Sequence, residues 1–101
     1  MYPLAAMSKR RGRGDGNDAL AAAMYYRGIE TDAMAAAVSV DVQTVRRWLR
    51  GDSVPTGAHL MALLQELDAP ADLLSEPPLS RSDALALMVA HDAVRRTRRL
   101  P

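Results

Sequence analysis

Apolar residues recur at three- and four-residue spacing along most of the chain, and no stretch shows the alternation that is typical of a strand. Asn17, Asp41 and Ser82 are suitable N-caps for three of the apolar segments, and Gly28 and Gly51 suit the left-handed position that ends a helix. The pattern therefore predicts an all-α protein, with helices at about 18–27, 31–38, 42–50, 57–67, 70–75 and 83–99.

Composition divides the chain into four parts. Residues 1–16 are rich in glycine and positive charge, which predicts a flexible basic arm. Residues 17–75 hold the first five helices and are expected to form one compact domain, followed by a Pro-rich linker at residues 76–81. Residues 82–101 predict an additional basic helix, which either packs back on the bundle or offers a self-association face.

The formal net charge of +1 hides an uneven distribution. Four positive charges lie near each end, whereas residues 14–94 hold five arginines and all 12 acidic residues, a net charge of −7. Basic ends on an acidic body are typical of anchoring on a polyanion, although solvated tails have the same composition. The basic residues are Lys9, Arg10, Arg11 and Arg13 in the N-terminal arm, and Arg95, Arg96, Arg98 and Arg99 in the last helix.

Several classes of protein are excluded or disfavoured because the chain lacks the residues or patterns that they need. It has no cysteine, so disulfide scaffolds, thiolate metal sites and thiol nucleophiles are excluded. Its two histidines, His59 and His91, are far apart and belong to no catalytic or metal-binding motif. No apolar run approaches the roughly 18 residues of a membrane span. We therefore expect a cytoplasmic protein that is not an enzyme, with no metal, no cofactor, no membrane association and no evident small-molecule ligand.

The stretch VSVDVQTVRRWLRGDS, residues 38–53, carries the strongest functional signal. On a helix over 42–50, the apolar residues Val42, Val45 and Leu49 share one stripe, with Trp48 at its edge. Long hydrogen-bond donors occupy the other side. Arginine can donate two hydrogen bonds to guanine and glutamine can read adenine, and each such pair is worth about 1–3 kcal/mol of discrimination. The donors are Gln43, Arg46, Arg47 and Arg50.

The spacing is that of a helix-turn-helix: one helix ends at Val38, a tight turn follows, and a second helix carries the outward donors. The stretch TDAMAAAVSVDVQTVRRWLRGDSVP, followed by LMALLQELDAPADLL, resembles the Cro/C1-type helix-turn-helix domain of phage repressors over residues 17–75. The resemblance implies a compact, lambda-repressor-like bundle of five helices, to which this chain adds a C-terminal helix. The matching positions are Thr31, Met34-Ala35, Val38-Ser39-Val40, Asp41, Thr44-Val45, Trp48, Gly51, Pro55 and Leu60 to Leu67.

The chain departs from the family pattern at two positions. Ser39 stands in the turn where the family usually has glycine, and a left-handed serine costs about 1 kcal/mol. Leu49 stands where the family often has a glutamate that pairs with a basic residue of the first helix, so that contact is expected to be apolar here.

The resemblance also implies roles for individual residues. Base-reading positions correspond to Val42, Gln43, Arg46 and Arg47, and phosphate contacts are expected at Thr31, Thr44, Arg50 and Ser53. The basic ends are expected to add contacts with the DNA backbone. These assignments predict a transcriptional repressor of phage or prophage type that occupies a double-stranded operator, either as a homodimer or as a monomer on an asymmetric site. The alternative is a helical protein-interaction module, such as an antitoxin or adaptor, whose arginines meet an acidic partner.

Overall fold

The computed structural model describes residues 16–75 and 77–99, with Arg99 described by its backbone. Over these residues the protein is an all-α bundle without strands, as the sequence predicts. The described residues form five α-helices and one short 3-10 helix, in the order α1 (Asp18–Arg27), α2 (Thr31–Ala37), α3 (Val42–Arg50), α4 (Gly57–Leu67), the 3-10 helix (Ala71–Leu74) and α5 (Arg81–Arg99).

Local signals set most helix boundaries, although three predicted details are wrong. The side-chain oxygen of Asn17 accepts a hydrogen bond from the N–H of Leu20 at 3.0 Å, which confirms the predicted N-cap of α1. Asp41 precedes α3 but its carboxylate makes no capping hydrogen bond. The last helix begins at Arg81, because the hydroxyl of Ser80, not that of Ser82, accepts from the N–H of Asp83. The predicted fifth helix is one 3-10 turn instead.

The turn between α2 and α3 keeps left-handed geometry despite its serine. Ser39 has φ 62°. Its N–H donates to the carbonyl of Ala36, and the N–H of Val40 donates to the carbonyl of Ala35 at 2.9 Å. This pair of hydrogen bonds is a Schellman motif, which normally has glycine in the left-handed position. The saturated carbonyls offset the steric cost of the serine, so the predicted turn forms.

Alanine-rich α1 lies at the centre of the bundle. Its buried residues include Leu20 and three alanines, whose small side chains let other helices approach its backbone closely. The core also contains Met34 and Ala35 from α2, Val45 and Trp48 from α3, Leu63 and Leu67 from α4, and Leu73 from the 3-10 helix. Every described helix contributes to a single hydrophobic core.

Helix α5 packs back on the bundle and makes its most extensive contact with α1. Its residues Ala84 and Met88 are fully buried in the common core. Of the two alternatives for the last helix, the structure therefore shows packing on the bundle for its first half. The second half carries the C-terminal arginines.

Candidate nucleic-acid interface

Helix α3 has one buried face and one exposed face, as its sequence predicts. Val45 is 0% exposed and Trp48 is 3% exposed, while Val42 and Leu49 are half-buried. Trp48 was expected at the edge of the apolar stripe, but it is buried in the core together with Val45. Its ring also packs against the ring of His59, with centroids 5.7 Å apart. The side chains exposed on the opposite face are Gln43, Arg46, Arg47 and Arg50.

The start of α1 holds the last turn of α3 in place. The N–H of Asn17 donates to the carbonyl of Leu49 at 2.9 Å. Gly16, with φ 79°, passes so close that a Cβ at this position would overlap the same carbonyl. Only glycine combines this backbone conformation with this close approach. The described chain therefore begins beside the end of α3, and the basic residues of the arm precede that point in the sequence.

The arginines of the exposed face differ in their surroundings. Among the described residues, no carboxylate lies within ion-pair distance of Arg46 or Arg47. Arg50 pairs with Asp52 through Nε and Oδ2 at 2.9 Å, with both side chains more than half exposed. An exposed pair of this kind is worth about 0.2–1 kcal/mol, so a phosphate can displace it. Among the described residues, Arg46 and Arg47 thus have no acidic partner, and Arg50 has one that a phosphate can replace.

The predicted phosphate-binding residues lie around α3. Thr31 is the first residue of α2 and is half-buried, between the exposed carboxylates of Glu30 and Asp32. Thr44 is half-buried on α3, and Ser53 is exposed in the loop that follows it. The structure brings Thr31 into one groove with Val42 and Arg46, between α1, α2 and α3. Neither Thr44 nor Ser53 lines this groove.

The predicted basic ends are described only in part. Lys9, Arg10, Arg11 and Arg13 lie outside the described residues, as does the side chain of Arg99. Arg96 and Arg98 are exposed on α5. Arg95 forms an ion pair with Asp68 at the end of α4, and His91 lies 3.7 Å from the other carboxylate oxygen of Asp68. Arg95 is therefore engaged within the fold, unlike Arg46 and Arg47.

A second polar cluster, centred on Arg27, was missed by the sequence analysis. The guanidinium of Arg27 donates to both carboxylate oxygens of Asp92, at 2.7 and 2.8 Å. It also donates to the carbonyls of Leu67 (2.7 Å) and Asp68 (2.9 Å), which end α4. The hydroxyl of Tyr26 donates to Asp92 at 3.0 Å. One arginine thus joins α1, α4 and α5, and we call this arrangement the Arg27 clasp.

The clasp shifts the pKa values of its members. The hydrogen bonds from Arg27 lower the pKa of Asp92 below its usual value, and the carboxylate in turn raises the pKa of Arg27. The pKa of Tyr26 is raised, because its hydroxyl donates to Asp92 and ionisation would place two anions together. A signal for this cluster exists in the sequence: Asp92 continues the line of Leu85 and Met88 on α5, and a carboxylate on a buried line needs a partner.

Two other kinds of functional feature are absent from the described residues: a metal site and a membrane-spanning helix. Within residues 16–75 and 77–99, no group of three or more His, Cys, Asp or Glu side chains could hold a metal ion. No helix in the same part of the chain has the length and apolar character needed to span a membrane.

Comparisons with family models, curated proteins and solved structures find no match to this chain. The helix-turn-helix resemblance therefore stays a hypothesis.

Proposed function

We propose that this protein is a sequence-specific, double-stranded DNA-binding transcriptional repressor of phage or prophage type. The observation that carries the proposal is the exposed face of α3, where Gln43, Arg46 and Arg47 have no acidic partner among the described residues. The exposed face of any helix needs polar residues, but glutamate or lysine would meet that need as well as arginine or glutamine does. A row of guanidinium and amide donors suits the edges of guanine and adenine in the major groove.

The anchoring of α3 supports base reading as well as attraction to phosphate. A reading helix must keep its side chains in register with the base pairs, which requires a fixed backbone. Trp48 and Val45 bury one side of α3, and the Leu49 carbonyl is bonded to the start of α1. The left-handed turn at Ser39 sets its angle to α2. These contacts hold the donors of α3 on a rigid support.

The proposed mechanism is occupancy of an operator in a bacterial cytoplasm. The first turns of α3 enter the major groove, where Val42 reaches a thymine methyl group and Gln43, Arg46 and Arg47 read neighbouring bases. Thr31, Thr44, Arg50 and Ser53 contact the flanking phosphates. The basic arm adds affinity without sequence information, because phosphate contacts are the same for every base. A bound protein excludes polymerase from an overlapping promoter.

Selection from a random pool of duplex DNA tests the proposal. The full chain is expected to enrich one motif in the presence of heparin, and log affinity for that motif should fall linearly with log salt concentration. The symmetry of the motif reports whether a monomer or a dimer binds. A pool that shows no enrichment at any salt concentration would contradict the proposal and favour an acidic protein partner.

A further inference from the structure

Tyr25 and Arg81 form an exposed pair that neither helix stability nor the proposed base reading explains. The ring of Tyr25, on the last turn of α1, is 75% exposed. The guanidinium carbon of Arg81, on the first turn of α5, lies 5.9 Å from the centroid of that ring. Arg81 itself is exposed. A large aromatic ring and a cation are thus held together at the surface by two helices far apart in the sequence.

This pair borders the recognition helix. Tyr25 lines the groove between α1, α2 and α3, opposite Val42, Arg46 and Leu49 of α3. Arg46 is exposed and has no carboxylate partner among the described residues, so the groove opens beside the surface proposed to enter the DNA. Tyr25 thus links this groove to Arg81, whose guanidinium lies near its ring.

The position of Arg81 is unfavourable for its own helix. A cation in the first turn of a helix opposes the positive end of the helix dipole. The favourable roles there belong to Ser80, which caps the helix, and to Asp83, the acidic residue of the first turn. No carboxylate among the described residues pairs with Arg81. The charge of Arg81 therefore has no counter-charge within the described fold, and an external anion would supply one.

Acidic residues restrict where that anion can lie. Glu30 and Asp32 line the same groove on its α2 side, on either side of Thr31. These two carboxylates weaken the phosphate contact proposed at Thr31, and a second phosphate is attracted more strongly to the cations Arg46 and Arg81.

We propose that Tyr25 and Arg81 form a phosphate contact that flanks the major groove occupied by α3, with the DNA backbone as the ligand. The inference rests on the proposed function and extends the interface beyond the helix-turn-helix, to the end of α1 and the start of α5. Arg81 supplies charge, and the hydroxyl of Tyr25 donates a hydrogen bond to a phosphate oxygen. The contact raises affinity and leaves the preferred sequence unchanged, because phosphates carry no base identity.

The test uses Arg81→Gln and Tyr25→Phe in the full chain, on the motif selected by the wild type, across a salt series. For Arg81→Gln the slope of log affinity against log salt should decrease by about 0.9, the value for one lost phosphate contact. Tyr25→Phe should weaken binding by about three- to tenfold with little change of slope, because it removes a hydrogen bond but no charge. Both variants should select the wild-type motif.

Two control variants separate a contact from a general effect. Tyr26→Phe also removes one hydroxyl, but this hydroxyl donates to Asp92. Gln65→Glu lowers the net charge by one, as Arg81→Gln does. Gln65 lies on α4 and lines a groove other than the one that Tyr25 lines. Neither control should change the salt slope. If Arg81→Gln and Tyr25→Phe bind DNA like the wild type, the proposed phosphate contact is wrong, while the proposed function stands. If the wild type selects no motif, both are wrong.

Discussion

Arg46 and Arg47 on α3 are exposed and have no carboxylate partner among the described residues, whereas Arg27 and Arg95 are held by acidic side chains where α1, α4 and α5 meet. All four are the same residue type in a small protein. The side chains of the first two are exposed to solvent, while the other two join helices to each other. A count of basic residues in the sequence cannot make this distinction, since it depends on where the carboxylates lie.

The largest effect is expected where the exposed arginines are anchored. Trp48→Ala should lower the free energy of unfolding by about 3–5 kcal/mol, because the ring is 3% exposed in the core. Domains of this size have about 5–15 kcal/mol in total, so DNA binding should be lost together with stability. Urea denaturation measures the change. Val54→Ala, at an exposed position, is the control, and an unchanged midpoint in Trp48→Ala would contradict the packing of α3.

An arginine-to-methionine substitution in each of the two regions tests whether the arginines there differ in their contribution to stability. Arg27→Met should lower the free energy of unfolding by about 2–3 kcal/mol, because Asp92 and the two carbonyls that end α4 lose their donor. Arg47→Met should change it by no more than about 0.5 kcal/mol, since Arg47 is exposed. Denaturation of the two variants under identical conditions decides the matter. Equal losses would show that the two regions do not differ in the way described.

For DNA affinity, the larger loss is expected from the exposed arginines of α3 and the smaller loss from the arginines that join helices. Arg47→Ala should weaken binding to the selected motif by about 1–3 kcal/mol and relax the preference at one base position. Arg95→Ala removes the same charge from a residue paired with Asp68, so its effect should be clearly smaller. Selection with each variant measures both quantities. A mutant Arg47→Ala that selects the wild-type motif with the wild-type strength would remove Arg47 from the reading face.

The smallest predicted effect concerns pH. The pKa of Asp92 is lowered in the folded state, so its contribution to stability is present above its unfolded pKa of about 3.9 and is lost as the pH falls through the folded pKa. Asp92→Asn should therefore be less stable than the wild type by about 1 kcal/mol at pH 6. The difference should shrink as the pH falls below about 4. A difference that stays constant down to pH 2 would show that the charge of Asp92 is not what stabilises the clasp.

The helices and the exposed donor face of α3 were predictable because their signals are local. Asn17 and Gly28 bound α1 within a single helical segment, and the split of α3 into apolar and donor faces follows from nine consecutive residues. Even the turn at Ser39 depends on hydrogen bonds that span no more than five positions along the chain. One capping detail failed because the local rules admit more than one answer: Ser80 and Ser82 are both suitable N-caps.

The Arg27 clasp and the Tyr25–Arg81 pair were not predictable in the same way. Arg27 and Asp92 are 65 positions apart in the sequence. Their meeting depends on how α5 crosses α1, which in turn depends on burial of Ala84 and Met88. Helical periodicity gives the apolar face of α5 but not the partner against which it packs. The carboxylate at Asp92 hinted that a partner exists without saying which arginine supplies it.

Methylation interference on the selected motif tests the central claim most directly, because it reports contact with a chosen atom in a chosen groove. Methylation of guanine N7 blocks the major-groove acceptor that arginine reads. We predict that N7 methylation at one or more guanines of the motif abolishes wild-type binding, and that Arg47→Ala loses this sensitivity at a single guanine while Arg95→Ala keeps it. Binding of the wild type that is insensitive to N7 methylation throughout the motif would contradict major-groove reading by the exposed arginines of α3.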